Sequence, residues 1–315
     1  MHVVTIGNFD GVHEGHRRLI EVAGEMAREG EGPPRTTAVT FDPLPESILH
    51  PAQHPNRLGT VIDRKKRLLA AGVDEVVELP VTRELLATDP IDFIEEILER
   101  YSNSNPIGCF VEGADFRFGK ARSGNMTTLT EHGLSSGFKV VRVPDVQIRL
   151  HDGHEVEVRS STIRQLLELG RIEDAGLMLG RHFQVQGNVV KGDQRGRQLG
   201  YPTMNLELGE QILPADGVYA GIADVGDGIA RPAAVSVGVK PTFEVTARVM
   251  EAHIVDWEGD LDVYGQSLDL KLLRRLRGQY RYDGIEPLLA QMKRDCGETR
   301  KIFESVNHDS MEIHR

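Results

Sequence analysis

Short β-branched runs alternate with helical segments over the first 180 residues of the chain. Five runs have the composition of strands: His2–Ile6, Thr36–Phe41, Glu75–Leu79, Ile107–Val111 and Lys139–Val143. Between these runs, apolar residues recur three or four positions apart, as on the buried face of a helix. This alternation predicts a doubly wound parallel sheet, which is a Rossmann-like α/β fold. Ligands of such sheets bind at the carboxyl ends of the strands.

The second half of the chain has a different pattern. Closely spaced β-rich runs follow one another there: Phe183–Val190, Val218–Val225, Ala233–Val237, Val249–Asp256 and Leu268–Leu272. Such spacing predicts a small antiparallel β-barrel. A terminal helix that packs on the barrel is predicted by an apolar stripe of Ile285, Leu288, Leu289, Met292 and Cys296. Because 315 residues suit two cores better than one, we predict domains at 1–180 and 181–315.

Composition narrows the class of protein. Hydrophobic residues make up 39% of the chain and charged residues 27%, as in soluble globular proteins, and no apolar run is long enough to span a bilayer. We therefore expect a cytoplasmic protein with no membrane partner. The net charge of −11 argues against nucleic acid as the main partner. Cys109 and Cys296 form no CxxC pair and are expected to be small core residues.

A glycine-rich run precedes a Pro-Thr-x-Asn segment that we interpret as a turn. The glycines of the run are Gly187, Gly192, Gly196 and Gly200. Glycine lets the backbone approach a ligand closely, and the N–H groups of such a loop suit a phosphate chain. Thr203 and Asn205 offer neutral oxygens for Mg²⁺. A glycine-rich hairpin in a barrel explains the spacing equally well, and the P-loop pattern is absent.

The loop after the first predicted strand is a second candidate site. It has the sequence Gly7-Asn-Phe-Asp-Gly-Val-His-Glu-Gly-His16. His13 and His16 are three residues apart near a predicted helix N-terminus, so they share a face at the positive end of the helix dipole. With backbone N–H groups they suit a phosphate chain and can stabilise charge that develops on it. Two incidental histidines are the alternative, and a zinc site lacks a third ligand.

Both runs resemble signatures of known enzymes. The run that ends at Asn205 resembles the riboflavin kinase signature, and the run that ends at His16 resembles the nucleotidyltransferase signature of bacterial FAD synthetases. The chain therefore resembles the bifunctional riboflavin kinase/FMN adenylyltransferase family over nearly its whole length. This resemblance implies ATP and phosphate binding by Gly7, Asn8, Asp10, Gly11, Gly187, Gly192, Gly196, Gly200 and Thr203.

Further segments of the first half resemble the same family. The run 112–122 is similar to its Gly-x-Asp-Phe-Arg-Phe-Gly segment, which implies flavin contacts by Asp115 and Arg117, and either Phe116 or Phe118 is expected in the core. The run 159–164 resembles its Ser-Ser-Thr segment with a following arginine. That likeness implies a phosphate site formed by Ser160, Ser161, Thr162 and Arg164. A serine that caps a helix, with an arginine nearby, also favours anion binding by itself. The chain departs from the family at Leu44, where a histidine is usual.

Two segments of the second half extend the resemblance. The run 250–255 is similar to the kinase segment Glu-x-His-Ile. A carboxylate on a strand that faces a site can accept the proton of an attacking hydroxyl, so Glu251 is implied as a general base. A solvent-facing glutamate on an edge strand is the alternative. The run 276–282 resembles a flavin-contacting segment and implies a flavin contact by Arg277, with Gln279 and Tyr282 in place of the family's Glu and Phe.

Together these features predict FAD biosynthesis from riboflavin, with MgATP and flavin as substrates. The second half would phosphorylate riboflavin to FMN, and the first half would adenylylate FMN and release pyrophosphate. Two alternatives stay open. In the first alternative, the replacement of the usual histidine by Leu44 marks a first half that binds flavin nucleotides but has lost its catalytic activity. In the second, the first half transfers a nucleotidyl group to a different phosphorylated metabolite. The oligomeric state does not follow from the sequence.

Overall fold

Residue contacts in the computed structural model divide the protein into two units. One unit comprises Met1–Arg57 and Val61–Ser160, and the other comprises Leu58–Thr60 and Ser161–Arg315. The predicted domain boundary at residue 180 stays a prediction. The structure describes residues 1–52, 54, 56–101, 106–192, 195–241, 246–257 and 264–312.

The first unit is built on a parallel sheet. Its strands in chain order are β1 (His2–Ile6), β2 (Arg35–Asp42), β3 (Glu75–Pro80), β4 (Ile107–Gly113), β5 (Arg117–Phe118), β6 (Gly124–Asn125), β7 (Lys139–Val143), β8 (Gln147–Arg149) and β9 (Glu155–Glu157). Five of them form the sheet in the order β3-β2-β1-β4-β7, and β5–β6 and β8–β9 form two-stranded pairs. All five predicted strands lie in this sheet, so the predicted doubly wound fold is confirmed.

Helices cover both faces of the sheet. They are α1 (Glu14–Glu29), α2 (Pro45–Leu49), α3 (Val61–Ala70), α4 (Arg83–Leu86), α5 (Pro90–Tyr101) and α6 (Met126–Ser136). Successive residues of a strand point to opposite faces. Val3 of β1 packs with Ala23 and Ala27 of α1, while Val4 packs with Ile94 of α5. Helices α1 and α5 therefore lie on opposite faces.

The strand order places a crevice beside β1. From β1 the chain runs outward through β2 and β3, and then it crosses to β4 and β7 on the other side. Ligands of doubly wound folds bind at such a reversal, outside the carboxyl ends of the strands. The loop that starts at Gly7 follows β1, and the segment with Asp115 follows β4. The two predicted motifs of the first unit thus flank one crevice.

The second unit contains a closed barrel. Its elements are α7 (Ser160–Glu168), α8 (Ile172–Leu179), β10 (Phe183–Val190), α9 (Arg195–Gln198), β11 (Met204–Glu207), β12 (Gly217–Asp224), β13 (Arg231–Pro241), β14 (Thr246–Ile254), β15 (Ser267–Arg277) and α10 (Ile285–Glu312). The six strands close in the order β10-β11-β14-β13-β12-β15, with antiparallel pairing throughout. The predicted antiparallel barrel and terminal helix are confirmed.

Two sequence expectations for this unit need correction. The sequence predicts a turn at Pro-Thr-x-Asn, but Asn205 lies within strand β11, and only the first two residues of the motif, Pro202 and Thr203, precede the strand. Met204 and Leu206 are buried in the barrel, and this apolar pair favours a strand over a turn. Helix α10 does pack on the barrel, through Ile302 among other residues, but Ile285, the first residue of the predicted stripe, is 60% exposed.

Both cysteines are inert thiols. Cys109 is fully buried on β4, and burial raises its pKa to about 11. Cys296 is half-buried on α10, and burial together with the nearby Asp295 carboxylate raises its pKa to about 11. Because the thiolate is the nucleophile, neither side chain is suited to catalysis near neutral pH.

Candidate active sites

The loop between β1 and α1 is held in a strained conformation. Phe9 has a φ of 46° and Val12 a φ of 41°, whereas Gly11 takes the same left-handed region without strain. A positive φ is an outlier for a β-branched residue such as valine. The side chains of Phe9 and Val12 are both buried in the core cluster under α1 and α3, which holds the loop in this shape. Strain of this kind clusters at ligand-binding sites.

The two predicted histidines lie together at the start of α1. His13 is the N-cap residue, and its Nδ1 accepts a hydrogen bond of 3.3 Å from the His16 backbone N–H. The two imidazole rings stack with centroids 3.6 Å apart, and the ring of Phe9 meets His16 edge-on at 5.1 Å. The expected position at a helix N-terminus is confirmed. Within the part of the chain that the structure describes, no group of three His, Cys, Asp or Glu side chains is placed to hold a metal ion.

Ser160 lies against this loop. Its hydroxyl donates a hydrogen bond of 2.9 Å to the Asp10 carbonyl, and α7 begins at the same residue. Asp10 is itself buried. The other predicted residues of the phosphate site follow on the first turns of α7, with Ser161 exposed and Thr162 and Arg164 half-buried. Their contact with a phosphate stays a prediction.

The segment after β4 carries the predicted flavin contacts. Arg159 donates a hydrogen bond of 2.7 Å to the Asp115 carboxylate and also pairs with Glu157. Arg117 is exposed and donates to the carbonyl of Phe116. Phe118 is buried in the core, as expected for one of the two phenylalanines. Asp115 is therefore paired with Arg159 at the surface, while the Arg117 side chain is exposed.

Sequence inspection missed two buried charged residues beside this crevice. Glu112 on β4 is 1% exposed and accepts a hydrogen bond of 2.7 Å from the Ile6 N–H; its burial raises the pKa of the carboxyl well above the ordinary value. Arg64 on α3 is 5% exposed and donates to the carbonyls of Asn8 and Phe41. Leu44, which replaces the usual histidine, is buried too. No local pattern distinguishes these positions from ordinary surface or core ones.

A polar row crosses the outer face of the barrel in the second unit. Asn205 on β11 lies directly opposite Glu251 on β14, and Glu251 lies directly opposite Ser236 on β13. Directly opposed residues of antiparallel strands project from the same face. The Thr203 hydroxyl lies 3.5 Å from the Glu251 carboxylate. The barrel thus brings together the residues predicted as base and as Mg²⁺ ligands.

The segment before β11 is fixed by His253. Its Nδ1 donates a hydrogen bond of 2.8 Å to the Pro202 carbonyl, and its ring meets that of Tyr201 at 5.3 Å. His253 lies two residues after Glu251 on β14, so both side chains lie on the same face of the strand. The position of Thr203 is therefore tied to the strand that carries Glu251.

Glycine is required for different structural reasons at the four positions predicted to bind phosphate. Gly192 lies against Asn205, because a Cβ at this position would come within 2.6 Å of the Asn205 Cγ. At Gly196 a Cβ would collide with the carbonyl oxygen of Tyr201, and Gly200 has a φ of 81°. Gly187 differs from the others because it is buried inside β10, where a Cβ would lie 2.9 Å from a carbonyl oxygen of the barrel. Barrel packing alone accounts for a glycine at position 187, and its phosphate role stays a prediction.

Arg277 is engaged in an ion pair rather than directed at an open site. Its guanidinium donates to both carboxylate oxygens of Asp295 on α10, and the two side chains are only 11% and 7% exposed. The rings of Tyr280 and Tyr282 lie 5.6 and 5.9 Å from the guanidinium carbon. The residue therefore joins the end of β15 to the terminal helix, and its predicted flavin contact stays a prediction.

Comparison with known proteins connects the two units to one family. The FAD synthetase family model matches residues 1–157, and the riboflavin kinase family model matches residues 179–303. The bifunctional riboflavin kinase/FMN adenylyltransferase of Escherichia coli (strain K12) is 32% identical over 302 residues, which cover 96% of this chain and 92% of that protein. The chain belongs to the bifunctional riboflavin kinase/FMN adenylyltransferase family.

Other members of the family match over similar lengths. The Pseudomonas fluorescens protein is 32% identical and covers 97% of this chain, and the Listeria monocytogenes protein (serovar 1/2a, strain ATCC BAA-679 / EGD-e) is 30% identical and covers 96%. The alignments span 94% and 93% of those proteins. The resemblance inferred from the motifs is thus confirmed for the chain as a whole.

A solved structure supports the fold of this family member. A Streptococcus pneumoniae protein described as a macrolide-efflux protein matches with a TM-score of 0.83 and 30% identity, covering 95% of this chain and 93% of that one. The efflux description concerns the pneumococcal protein. In this chain, none of the helices formed by described residues is long and apolar enough to cross a membrane.

Proposed function

We propose that this protein makes FAD from riboflavin in two ATP-dependent steps. The second unit phosphorylates riboflavin to FMN, and the first unit adenylylates FMN and releases pyrophosphate. The presence of both family models in one chain carries this proposal. The polar row of the barrel and the strained loop after β1 supply a separate candidate site for each step.

In the kinase site Glu251 acts as the general base. Its carboxylate accepts the proton of the riboflavin 5′-hydroxyl, whose oxygen then attacks the γ-phosphate of ATP, and ADP leaves. The position of Glu251 between Asn205 and Ser236, on three hydrogen-bonded strands, supports this role because a base must be held within reach of the proton. Phosphoryl transfer depends mainly on positioning and on charge stabilisation.

Thr203 and Asn205 are the proposed Mg²⁺ ligands. The Thr203 hydroxyl lies 3.5 Å from the Glu251 carboxylate and Asn205 is paired with Glu251 across the strands, a set of oxygen donors that would suit a hard cation. When bound, Mg²⁺ neutralises charge on the phosphate chain. Backbone N–H groups around Gly192, Gly196 and Gly200 hold the same phosphates.

In the adenylyltransferase site the phosphate of FMN attacks the α-phosphate of ATP. No protein nucleophile is needed. His13 and His16 lie at the N-terminus of α1, where they and the loop N–H groups stabilise the negative charge that develops on the transferring phosphate. Gly7, Asn8, Asp10 and Gly11 shape the loop, and the Ser160 hydroxyl donates a hydrogen bond to its Asp10 carbonyl.

Several finer features remain part of the proposal. The domain division at residue 180, a cytoplasmic location, and the lack of nucleic-acid and membrane partners are predictions based on composition and pattern. Direct flavin contacts by Asp115, Arg117 and Arg277 are predictions based on the resemblance. Phosphate contacts by Ser161, Thr162 and Arg164 have the same basis.

A chromatographic time course tests the function. Riboflavin and MgATP are incubated with the protein, and riboflavin, FMN and FAD are quantified over time. We expect FMN to appear first and then to be converted to FAD. FMN without FAD would make the first unit a binding module, and no conversion by folded protein would refute the proposal.

Two single substitutions separate the sites. Glu251→Gln should stop FMN formation while FMN supplied directly is still converted to FAD. His16→Ala should slow FAD formation and leave FMN formation unchanged. The two-site assignment fails if either variant, while folded, loses both reactions.

A further inference from the structure

Arg64 is a charged side chain inside the first unit. Helix α3 contains the run Arg64-Lys-Lys-Arg67, in which Lys65 and Lys66 are exposed but Arg64 is only 5% exposed. We propose that Arg64 is a positioning residue for adenylyl transfer: its guanidinium holds the Asn8 peptide and thereby keeps the loop after β1 in the shape that receives the nucleotide phosphates. The proposal rests on the function proposed for the first unit.

The contacts of Arg64 converge on the start of the loop. Its Nη1 donates to the Asn8 carbonyl at 3.1 Å, and its Nη2 donates to the Phe41 carbonyl at 3.0 Å. The Thr40 hydroxyl donates to the same Asn8 oxygen at 3.2 Å, so both lone pairs of that carbonyl are used. Arg64 therefore joins the residues that follow β1 to the end of β2.

Holding this carbonyl also orients the next amide. A peptide group is planar and trans, so the N–H of Phe9 points opposite to the Asn8 C=O. Phe9 and Val12 both have positive φ, a conformation that is unfavourable for residues other than glycine. A strained loop keeps its shape only if its surroundings fix it, and the two hydrogen bonds to Asn8 fix its first peptide.

The electrostatics of Arg64 argue against a role in stability alone. Burial lowers the pKa of its guanidinium, and the nearby Arg57 adds to this effect, while Asp42 and Asp10 oppose it. Its Nε is buried and has no hydrogen-bond partner among the described residues. Moving a charge out of water costs free energy, and hydrogen bonds to neutral carbonyls offset that cost only in part. The loop geometry is therefore the better explanation for a charge at this position.

The test compares three variants of the full-length protein. Arg64→Met removes both donors but keeps the length of the side chain, and Arg64→Lys keeps the charge without the two-pronged donor geometry. Lys65→Met is the matched control, because it removes a charge from the adjacent exposed position of the same helix. Initial rates of FAD formation from FMN are measured against ATP concentration, and FMN formation from riboflavin is measured on the same samples.

We expect Arg64→Met to lower kcat/KM for ATP in FAD formation by about 10- to 100-fold, as for other losses of positioning. FMN formation should not change, Arg64→Lys should recover part of the loss, and Lys65→Met should match wild type. A purely structural role would change the melting temperature and leave the rate per folded molecule unaltered. Folded Arg64→Met with wild-type kcat/KM would overturn the proposal.

A second substitution covers the case in which Arg64→Met does not fold. Thr40→Val removes the other donor to the Asn8 carbonyl without changing any charge. A smaller loss in the same kcat/KM supports the proposal, and wild-type kinetics overturn it. Failure of the wild-type protein itself to form FAD would instead refute the function proposed for the first unit.

Discussion

Gly192→Ala tests whether Asn205 is a working part of the kinase site. A Cβ at position 192 would lie 2.6 Å from the Asn205 Cγ and 2.9 Å from its Oδ1, and closer still to Nδ2. Non-bonded carbon atoms prefer separations of about 3.5–4.0 Å, so the amide must retreat by about 1 Å. Metal–oxygen distances of about 2.0–2.1 Å for Mg²⁺ do not tolerate that displacement.

The expected loss is large and confined to one reaction. A misplacement of about 1 Å costs about 100-fold in rate, which is about 2.7 kcal/mol in the activation barrier. FMN formation from riboflavin should fall by that factor and require more Mg²⁺, while FAD formation from supplied FMN stays constant. The fold should persist, because the clash involves the end of a side chain and Gly192 has no positive φ.

Gly226→Ala is the control for the effect of a methyl group on the barrel. Gly226 has a φ of 92° in the turn between β12 and β13, with nothing within 4 Å of an added Cβ. We expect a modest loss of stability, about 1 kcal/mol, and wild-type FMN formation. If Gly192→Ala forms FMN at the wild-type rate with the wild-type Mg²⁺ dependence, Asn205 does not hold the metal and the assignment is wrong.

Two further predictions concern buried ionisable groups. Because the pKa of Glu112 is raised in the folded state, the unfolded chain releases this proton first as pH rises above about 4.5. Stability is then lost by up to about 1.4 kcal/mol per pH unit until the folded carboxyl also ionises. The stability of Glu112→Gln relative to wild type, measured from melting curves, should therefore increase from pH 4 to pH 8. A stability difference that does not change with pH would contradict this. Asp295→Asn should lower the free energy of unfolding by about 3 to 5 kcal/mol in urea titrations, since it leaves the buried Arg277 charge unpaired; an unchanged midpoint would contradict this.

The elements of the fold are encoded locally to a large extent. β1 and β10 have the predicted bounds because each is a compact β-rich run bounded by residues that do not continue it. Helix α1 ends before Gly30, where the apolar stripe also stops. β11 was missed because Pro202 and Asn205 are common in turns, and only pairing with β10 and β14 makes the segment a strand.

The sites depend on contacts that no local pattern contains. The motifs located Glu251, Asn205 and the two histidines, but the register that sets Glu251 opposite both Asn205 and Ser236 is a property of the closed barrel. Arg64 belongs to a run of basic residues that looks like a solvated helix face, and only packing against the sheet buries one of them. Buried functional charges therefore emerge from tertiary structure.

The polar row on the barrel also limits how such a chain can change in length. Side chains alternate between the two faces of a strand, so a single inserted or deleted residue within β14 would turn Glu251 into the apolar interior and bring Met250 or Ala252 outward. The same error in β11 or β13 would separate the three partners. Insertions and deletions that preserve activity are thus restricted to the connections between strands. Additional residues there do not change which side chains of each strand point outward, so the polar row stays intact.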